Sequence, residues 1–210
     1  MNLTSFISRG GDKLCTALDA FEIDVAGARV LDAGASTGGF TDCLLSLGAR
    51  EVVAVDVGYG QFAWELRNDA RVKLLERTNV RGLVPDMIGG LVEIAVADLS
   101  FISLRLVVPV LETLVIVGGP LVLLFKPQFE VGKRLVGKGG VVRDPALHAQ
   151  ALSGFAAWAA GRALGPVALA ISSPRGTDGN VEFWWRLAAG SERSVAEEDI
   201  ARIVALAHEG

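Results

Sequence analysis

Val30-Leu31-Asp32-Ala33-Gly34-Ala35-Ser36-Thr37-Gly38-Gly39-Phe40 is the stretch on which the fold turns: a short apolar strand ends on an acid and breaks into a glycine-rich turn. Glycines at such a turn let backbone approach a nucleotide-like ligand at the carboxyl end of a buried strand. A dinucleotide fingerprint, G-x-G-x-x-G, would place a second glycine against the pyrophosphate. Ser36 holds that position here, which disfavours an NAD-dependent dehydrogenase.

Outward from this turn, runs rich in Val, Ile and Leu recur at residues 29–32, 51–56, 72–75, 93–97 and 121–125. Runs without polar alternation are what parallel strands covered on both faces require. Between them the apolar spacing is helical. Residues 37–47 carry Phe40, Cys43, Leu44 and Leu47 and stop at Gly48, a C-terminal cap. Asp144-Pro145 opens a helix reaching about Ala163. Residues 167–172 and 181–187 read as two strands joined by a loop, an antiparallel last pair. Ser194 and Glu197 fit a capping box for a final helix ending near His208. The pattern predicts an α/β, Rossmann-like doubly wound fold with a mostly parallel seven-stranded sheet and an antiparallel last strand. One domain is expected: a helical lead-in over 1–28, a sheet core over 29–190 and a C-terminal helix over 191–210.

The 210 residues are 51% apolar with a formal net charge of −4, so the overall balance does not draw the chain to phosphate backbones. Nucleic-acid binding must come from a local patch or a partner module. Cys15 and Cys43 lie in amphipathic patterns beside leucines and read as buried free thiols of a reducing compartment. His148 and His208 have no Cys or carboxylate at ligand spacing, so no metal is expected. The N-terminal residues lack the apolar core and cleavage site of a secretory signal, which makes the cytoplasm the default location. Residues 106–125 would pass a hydropathy window, but Pro109, Glu112, Gly118, Gly119 and Pro120 break them. A buried helix followed by a buried strand is the reading, and no membrane partner is expected.

Residues at strand ends are where an open α/β sheet places its chemistry. Asp56 ends the second strand, 22 residues after Gly34, where a carboxylate accepts ribose hydroxyls; a helix N-cap is the alternative. Asp98 ends the fourth strand in Ala-Asp-Leu-Ser-Phe. Lys126 ends the fifth, and Pro127 stops the ladder so that the lysine faces the crevice rather than snorkelling to solvent. Lys13, early in the first helix, and Glu182, at the start of the last strand, fall where they reach the same crevice; singly, each would pass for a surface charge.

The spacing Asp-x-Gly-x-x-x-Gly-Gly resembles the first motif of S-adenosylmethionine-dependent methyltransferases. With Ser-Arg-Gly-Gly-Asp-Lys-Leu, Leu-Asp-Ala-Gly-Ala-Ser-Thr-Gly-Gly-Phe, Asp-Val-Gly-Tyr-Gly-Gln, Glu-Arg-Thr-Asn, Ala-Asp-Leu-Ser-Phe-Ile-Ser and Lys-Pro-Gln-Phe-Glu-Val-Gly, nearly the whole chain resembles the TlyA family of bacterial ribosomal RNA 2′-O-methyltransferases. Its members are often called haemolysins, and FtsJ-like methyltransferases are more distant relatives. The resemblance implies 2′-O-methylation of cytidine in small- or large-subunit ribosomal RNA, with the RNA or the subunit as partner. It places the catalytic set on Lys13, Asp98, Lys126 and Glu182. Lys126 is the candidate base, Asp98 its orienting partner, and Lys13 with Glu182 positions the ribose. S-adenosyl-L-methionine is the implied cofactor, held by Asp32, Gly34, Ala35, Ser36, Thr37, Gly38, Gly39, Phe40, Asp56, Val57, Asn79 and Asp98.

Family members carry a small N-terminal RNA-binding domain, whereas this chain begins just before the methyltransferase domain, so RNA recognition is expected to need that absent domain or local contacts. Gly11-Asp12 stands where the family often has Ala-His, a change of local charge. The loop after Lys126 offers Lys133, Arg134, Lys138 and Arg143, and the first helix offers Arg9, as candidate phosphate contacts. Two competing readings remain at this stage. A haemolysin-type membrane-active protein needs a span or anchor, which the chain lacks. A methyltransferase-like RNA-binding module without turnover is opposed by the intact charged set.

Overall fold

Seven strands pair in one sheet in the order β3-β2-β1-β4-β5-β7-β6. They are β1 (Arg29–Ala33), β2 (Glu51–Val55), β3 (Val72–Leu75), β4 (Ile94–Ala97), β5 (Pro120–Phe125), β6 (Leu164–Ile171) and β7 (Phe183–Ala189). The computed structural model describes residues 6–209 apart from 138, 177 and 192. The first five strands are mutually parallel, and β7 runs antiparallel between β5 and β6.

Among the described residues seven helices flank the sheet: α1 (Arg9–Ala20), α2 (Gly39–Ser46), α3 (Trp64–Arg67), α4 (Pro85–Ile88), α5 (Val108–Leu114), α6 (Pro145–Ala160) and α7 (Glu197–His208). Because side chains alternate along a strand, each strand feeds two cores. Val30, Val52, Val96, Leu124 and Trp184 pack with Leu14, Leu18, Phe40 and Leu44 of α1 and α2. Leu31, Val53, Leu123 and Trp185 face the other way, onto Leu111 of α5, Phe155 of α6 and Ile200 of α7. Each such fully buried side chain contributes about 1.5–3 kcal/mol relative to exposure. This two-sided burial is why the strands read as unbroken apolar runs.

The chain order reverses between β1 and β4, so their carboxyl ends open a crevice at the switch point of the sheet. Two glycines tighten its floor. Gly34 has φ +90°, and a Cβ there would lie 2.1 Å from the Asp98 carbonyl oxygen. Gly39 brings α2 against α1: a Cβ on it would meet Ser8 Oγ at 2.1 Å. That oxygen caps α1 by accepting from Gly10 N at 3.3 Å.

The close α1–α2 approach overturns the expectation of free thiols. Cys15 and Cys43 lie on the facing sides of these helices with Cα atoms 6.2 Å apart and form a disulfide. The expected capping box is also absent. Ala196, not Ser194, precedes α7 and makes no side-chain cap; the Glu197 carboxylate accepts from Ser153 Oγ of α6 at 2.6 Å instead. Packing between helices thus took the carboxylate that the local motif assigned to a backbone N–H. Residues 106–125 resolve into α5 and β5, as their breakers implied. Among the described residues no helix is long and apolar enough to cross a membrane.

Candidate active site

Four charged side chains meet at the carboxyl edge of the sheet in two ion pairs. Lys13, one turn into α1, donates from Nζ to Glu182 Oε2 at 2.7 Å, with side-chain exposures of 11% and 5%. Lys126, the residue after β5, pairs with Asp98, the residue after β4, and donates to Ser100 Oγ at 3.3 Å. Parallel register sets β4 beside β5, so the residues that leave these two strands are neighbours. Pro127 then starts a 3₁₀ turn over Pro127–Phe129, which ends the β5 ladder at the lysine. Glu182 arrives from the opposite direction. Because β7 is antiparallel, its beginning lies at the edge where the parallel strands end, and Phe125 pairs with Phe183.

Taking such pairs out of water costs several kcal/mol, and removing one partner leaves a charge uncompensated. The surrounding loops hold them closely. A Cβ on Gly176 would sit 2.6 Å from Glu182 Oε1, so the backbone of that loop lies directly on the carboxylate. Buried Asn180 accepts from Val142 N and donates to Gly140 O, both at 3.1 Å, tying the end of the basic loop to the segment that delivers Glu182.

All four charged residues line one cavity of about 270 Å³, together with residues of the glycine turn. Gly34 and Asp98 also border a second cavity of about 290 Å³, walled by Val57, Asn79, Val80 and Leu99. Asp56 lies at that second cavity, and its carboxylate already accepts from Ser36 N at 2.8 Å and Gly58 N at 2.6 Å. Carboxylate oxygens retain acceptor capacity beyond one bond each. The helix N-cap expected as its alternative role is absent, since α3 begins at Trp64 with Ala63 before it; Asp56 braces the loop and borders the cavity instead.

Of the expected cofactor residues, Gly34, Ala35, Ser36, Thr37, Gly39 and Phe40 line the first cavity. Asp32 and Gly38 do not reach the wall. Asp32 is fully buried beneath the loop, where Thr41 Oγ1 donates to its Oδ2 at 2.7 Å. Burial pushes its carboxyl up to about 7, against the hydrogen bonds from Thr41, and nearby Asp98 and Asp56 add to the rise. Gly38 packs against α3: with φ +102°, a Cβ there would be 2.4 Å from Leu66 Cδ1.

Arg9 is exposed on the rim of the first cavity, and Lys133, Arg134 and Arg143 are exposed beyond Lys126; Lys138 lies outside the described residues. The sequence reading missed Ser8, Ser100, Gly176 and an aromatic pair. Phe101 is 92% exposed with φ +63°, and its ring lies 5.3 Å from that of Phe129 beside a cavity of about 530 Å³ edged by Lys133. Its motif was visible in sequence, but a positive φ on an aromatic residue has no sequence signal.

A doubly wound sheet with an inserted antiparallel strand, a glycine turn at the switch point and paired lysines and carboxylates across from it define a Rossmann-like methyltransferase. The family model for FtsJ-like methyltransferases matches residues 6–188, and the chain belongs to that family. It is 52% identical over 196 residues to the 16S/23S rRNA (cytidine-2'-O)-methyltransferase TlyA of Mycobacterium tuberculosis strain H37Rv, covering 93% of this chain and 73% of that one. YqxC of Bacillus subtilis is 47% identical over 212 aligned positions, covering 99% of this chain and 75% of its own length. A solved structure from Streptococcus thermophilus that bears a hemolysin name superposes with a TM-score of 0.93 at 41% identity, covering 98% of this chain and 75% of that one.

Proposed function

We propose that this protein transfers a methyl group from S-adenosylmethionine to the 2′-hydroxyl of a cytidine in ribosomal RNA. The observation that carries the reading is the convergence of the Lys126–Asp98 and Lys13–Glu182 pairs on a cavity that the glycine turn also lines. The relative named as a 16S/23S rRNA (cytidine-2'-O)-methyltransferase supports the substrate class. The residues present fit the cofactor. Gly34, which has no Cβ to strike the Asp98 backbone, borders both cavities, and the apolar walls of the second suit a purine, with Asp56 at hand for ribose hydroxyls. When bound, S-adenosylmethionine supplies an electrophilic methyl carbon.

Asp98 holds the Lys126 amine at the end of β5, and Lys126 takes the proton of the 2′-hydroxyl as that oxygen attacks in line. A lysine base must first give up its own proton. Lys13 and Glu182 hold each other rigid and present a donor and an acceptor to the ribose, which is positioning rather than proton transfer. Phe101 offers an exposed ring on which an unstacked base can lie, and Lys133 and Arg134 offer phosphate contacts near it.

Incubating the chain with methyl-labelled S-adenosylmethionine and each ribosomal subunit, then mapping 2′-O-methyl groups, tests the reading. Lys126→Ala should lower transfer by roughly 10²–10⁴-fold, the usual worth of a positioned base, while cofactor affinity by calorimetry stays within a few-fold. Cofactor binding with no incorporation into either subunit would refute the function, and undiminished transfer by Lys126→Ala would remove the base.

A further inference from the structure

The Lys126 amine is held at two points, and only Asp98 is accounted for above. Ser100 Oγ accepts from the same nitrogen at 3.3 Å, two residues further along the segment that leaves β4. Resting on the reading of Lys126 as the base, we infer that Ser100 is a positioning residue that aims the lone pair of Lys126 at the substrate hydroxyl.

The geometry of a primary amine gives the reason. As an ammonium, Nζ has three N–H donors. Once neutral it has two, and the lone pair occupies the third tetrahedral position. With Asp98 as sole acceptor, one N–H is fixed and the lone pair has two equivalent positions, one of them unproductive. Ser100 takes the second N–H. One position is then left for the lone pair, on a lysine that lines the same cavity as Lys13 and Glu182. Loss and gain of the proton thus leave the Ser100 hydrogen bond and the Asp98 contact in place, so the amine needs no reorientation during transfer.

The backbone next to the serine supports an imposed arrangement. Phe101 follows it with φ +63°, a left-handed conformation that costs an aromatic residue on the order of 1–3 kcal/mol. This turn sends the Phe101 ring outward, against Phe129, immediately after placing the Ser100 hydroxyl on Lys126. Ser100 also borders both the Asp56 cavity and the one beyond Lys126, so it stands where the two meet.

Two measurements on the full chain test this, using Ser100→Ala and the hydroxyl-retaining Ser100→Thr. Nitrogen-15 relaxation of the Lys126 ammonium, assigned by its loss in Lys126→Ala, reports the reorientation of Nζ. Single-turnover transfer to ribosomal subunits across pH reports chemistry. In Ser100→Ala the ammonium should gain mobility, and the rate at saturating substrate should fall roughly three- to tenfold at every pH, the range set by one ordinary hydrogen bond. Affinity for S-adenosylmethionine and half-saturation by the subunit should stay within twofold, and Ser100→Thr should restore both readouts. An alanine variant with wild-type Nζ mobility or a wild-type rate overturns the inference. Wild-type chain that transfers no methyl while Ser100→Ala still frees the ammonium would overturn the proposed function and leave the hold of Ser100 on Lys126 standing.

Discussion

Asp32 is the acid that ends the diagnostic strand, yet it is closed off from solvent beneath the loop, with Thr41 as hydrogen-bond partner. Its carboxyl, raised from 3.8 to about 7, binds a proton more tightly in the folded chain than in the unfolded one. The stability this provides is complete below pH about 3.8 and is lost as pH rises through about 7. Asp32→Asn, which keeps an acceptor for Thr41, should remove that slope and raise the melting temperature at pH 7.5. Unchanged melting across pH 4–8 would contradict it. At this scale Asp98, Lys126 and Glu182 were legible because each follows or precedes an apolar strand at a recognisable end, whereas Lys13, inside α1, was singled out by the family motif around it. Cys15 and Cys43 were misread for a physical reason: a thiol beside leucines looks the same in sequence whether or not another helix brings a second thiol to it. Asp32 was assigned to the ligand by its motif, while its depth beneath the loop depends on packing that no local pattern encodes.

Two helix starts show how far local motifs reach. Asp144 precedes Pro145 and accepts from Ala146 N at 2.9 Å, as its sequence predicts, whereas Ser194 makes no cap because α7 begins at Glu197 with Ala196 at its N-cap position. Asp144→Ala should therefore destabilise the protein by about 1 kcal/mol in urea titrations, and Ser194→Ala should stay within about 0.5 kcal/mol. A reversed ranking would show that the caps have been assigned to the wrong residues. The strands were the most legible elements. Residues 72–75 form β3 within the expected bounds, and the final hairpin was recognised although β6 begins earlier, at Leu164, where pairing with Ala189 extends it. That β7 inserts between β5 and β6 was not legible, since order within a sheet is decided by long-range pairing.

Behind the segment that delivers Glu182, the molecule is fastened by two histidines. His148 of α6 is wholly buried, with one ring nitrogen against Val142 O at 3.1 Å and the other 3.0 Å from His208 at the end of α7. Burial, with the neighbouring His208, lowers its pKa from 6.5 to about 4; Asp144 opposes the shift and Arg175 adds to it. Its contribution to stability is complete above pH about 6.5 and is lost as pH falls through about 4, a slope opposite to that of Asp32 over much the same window. His148→Gln should flatten the acid side of a thermal-melting series between pH 6.5 and 4, and an unaltered acid limb would rule the coupling out. The doubly wound architecture was legible as a whole, because repeated apolar runs separated by helical spacing leave few alternatives. What closes the active site was not. The sheet order carries a consequence for the time at which a newly made chain becomes competent. β6 has no neighbour in the sheet until β7 is available to enter between it and β5, and Glu182, 169 residues from its partner Lys13, arrives with that same strand. Synthesis proceeds from the N-terminus. A growing chain therefore presents its glycine turn, Asp98 and Lys126 well before it has a second ion pair, and the crevice is completed only when the segment that carries Glu182 has followed.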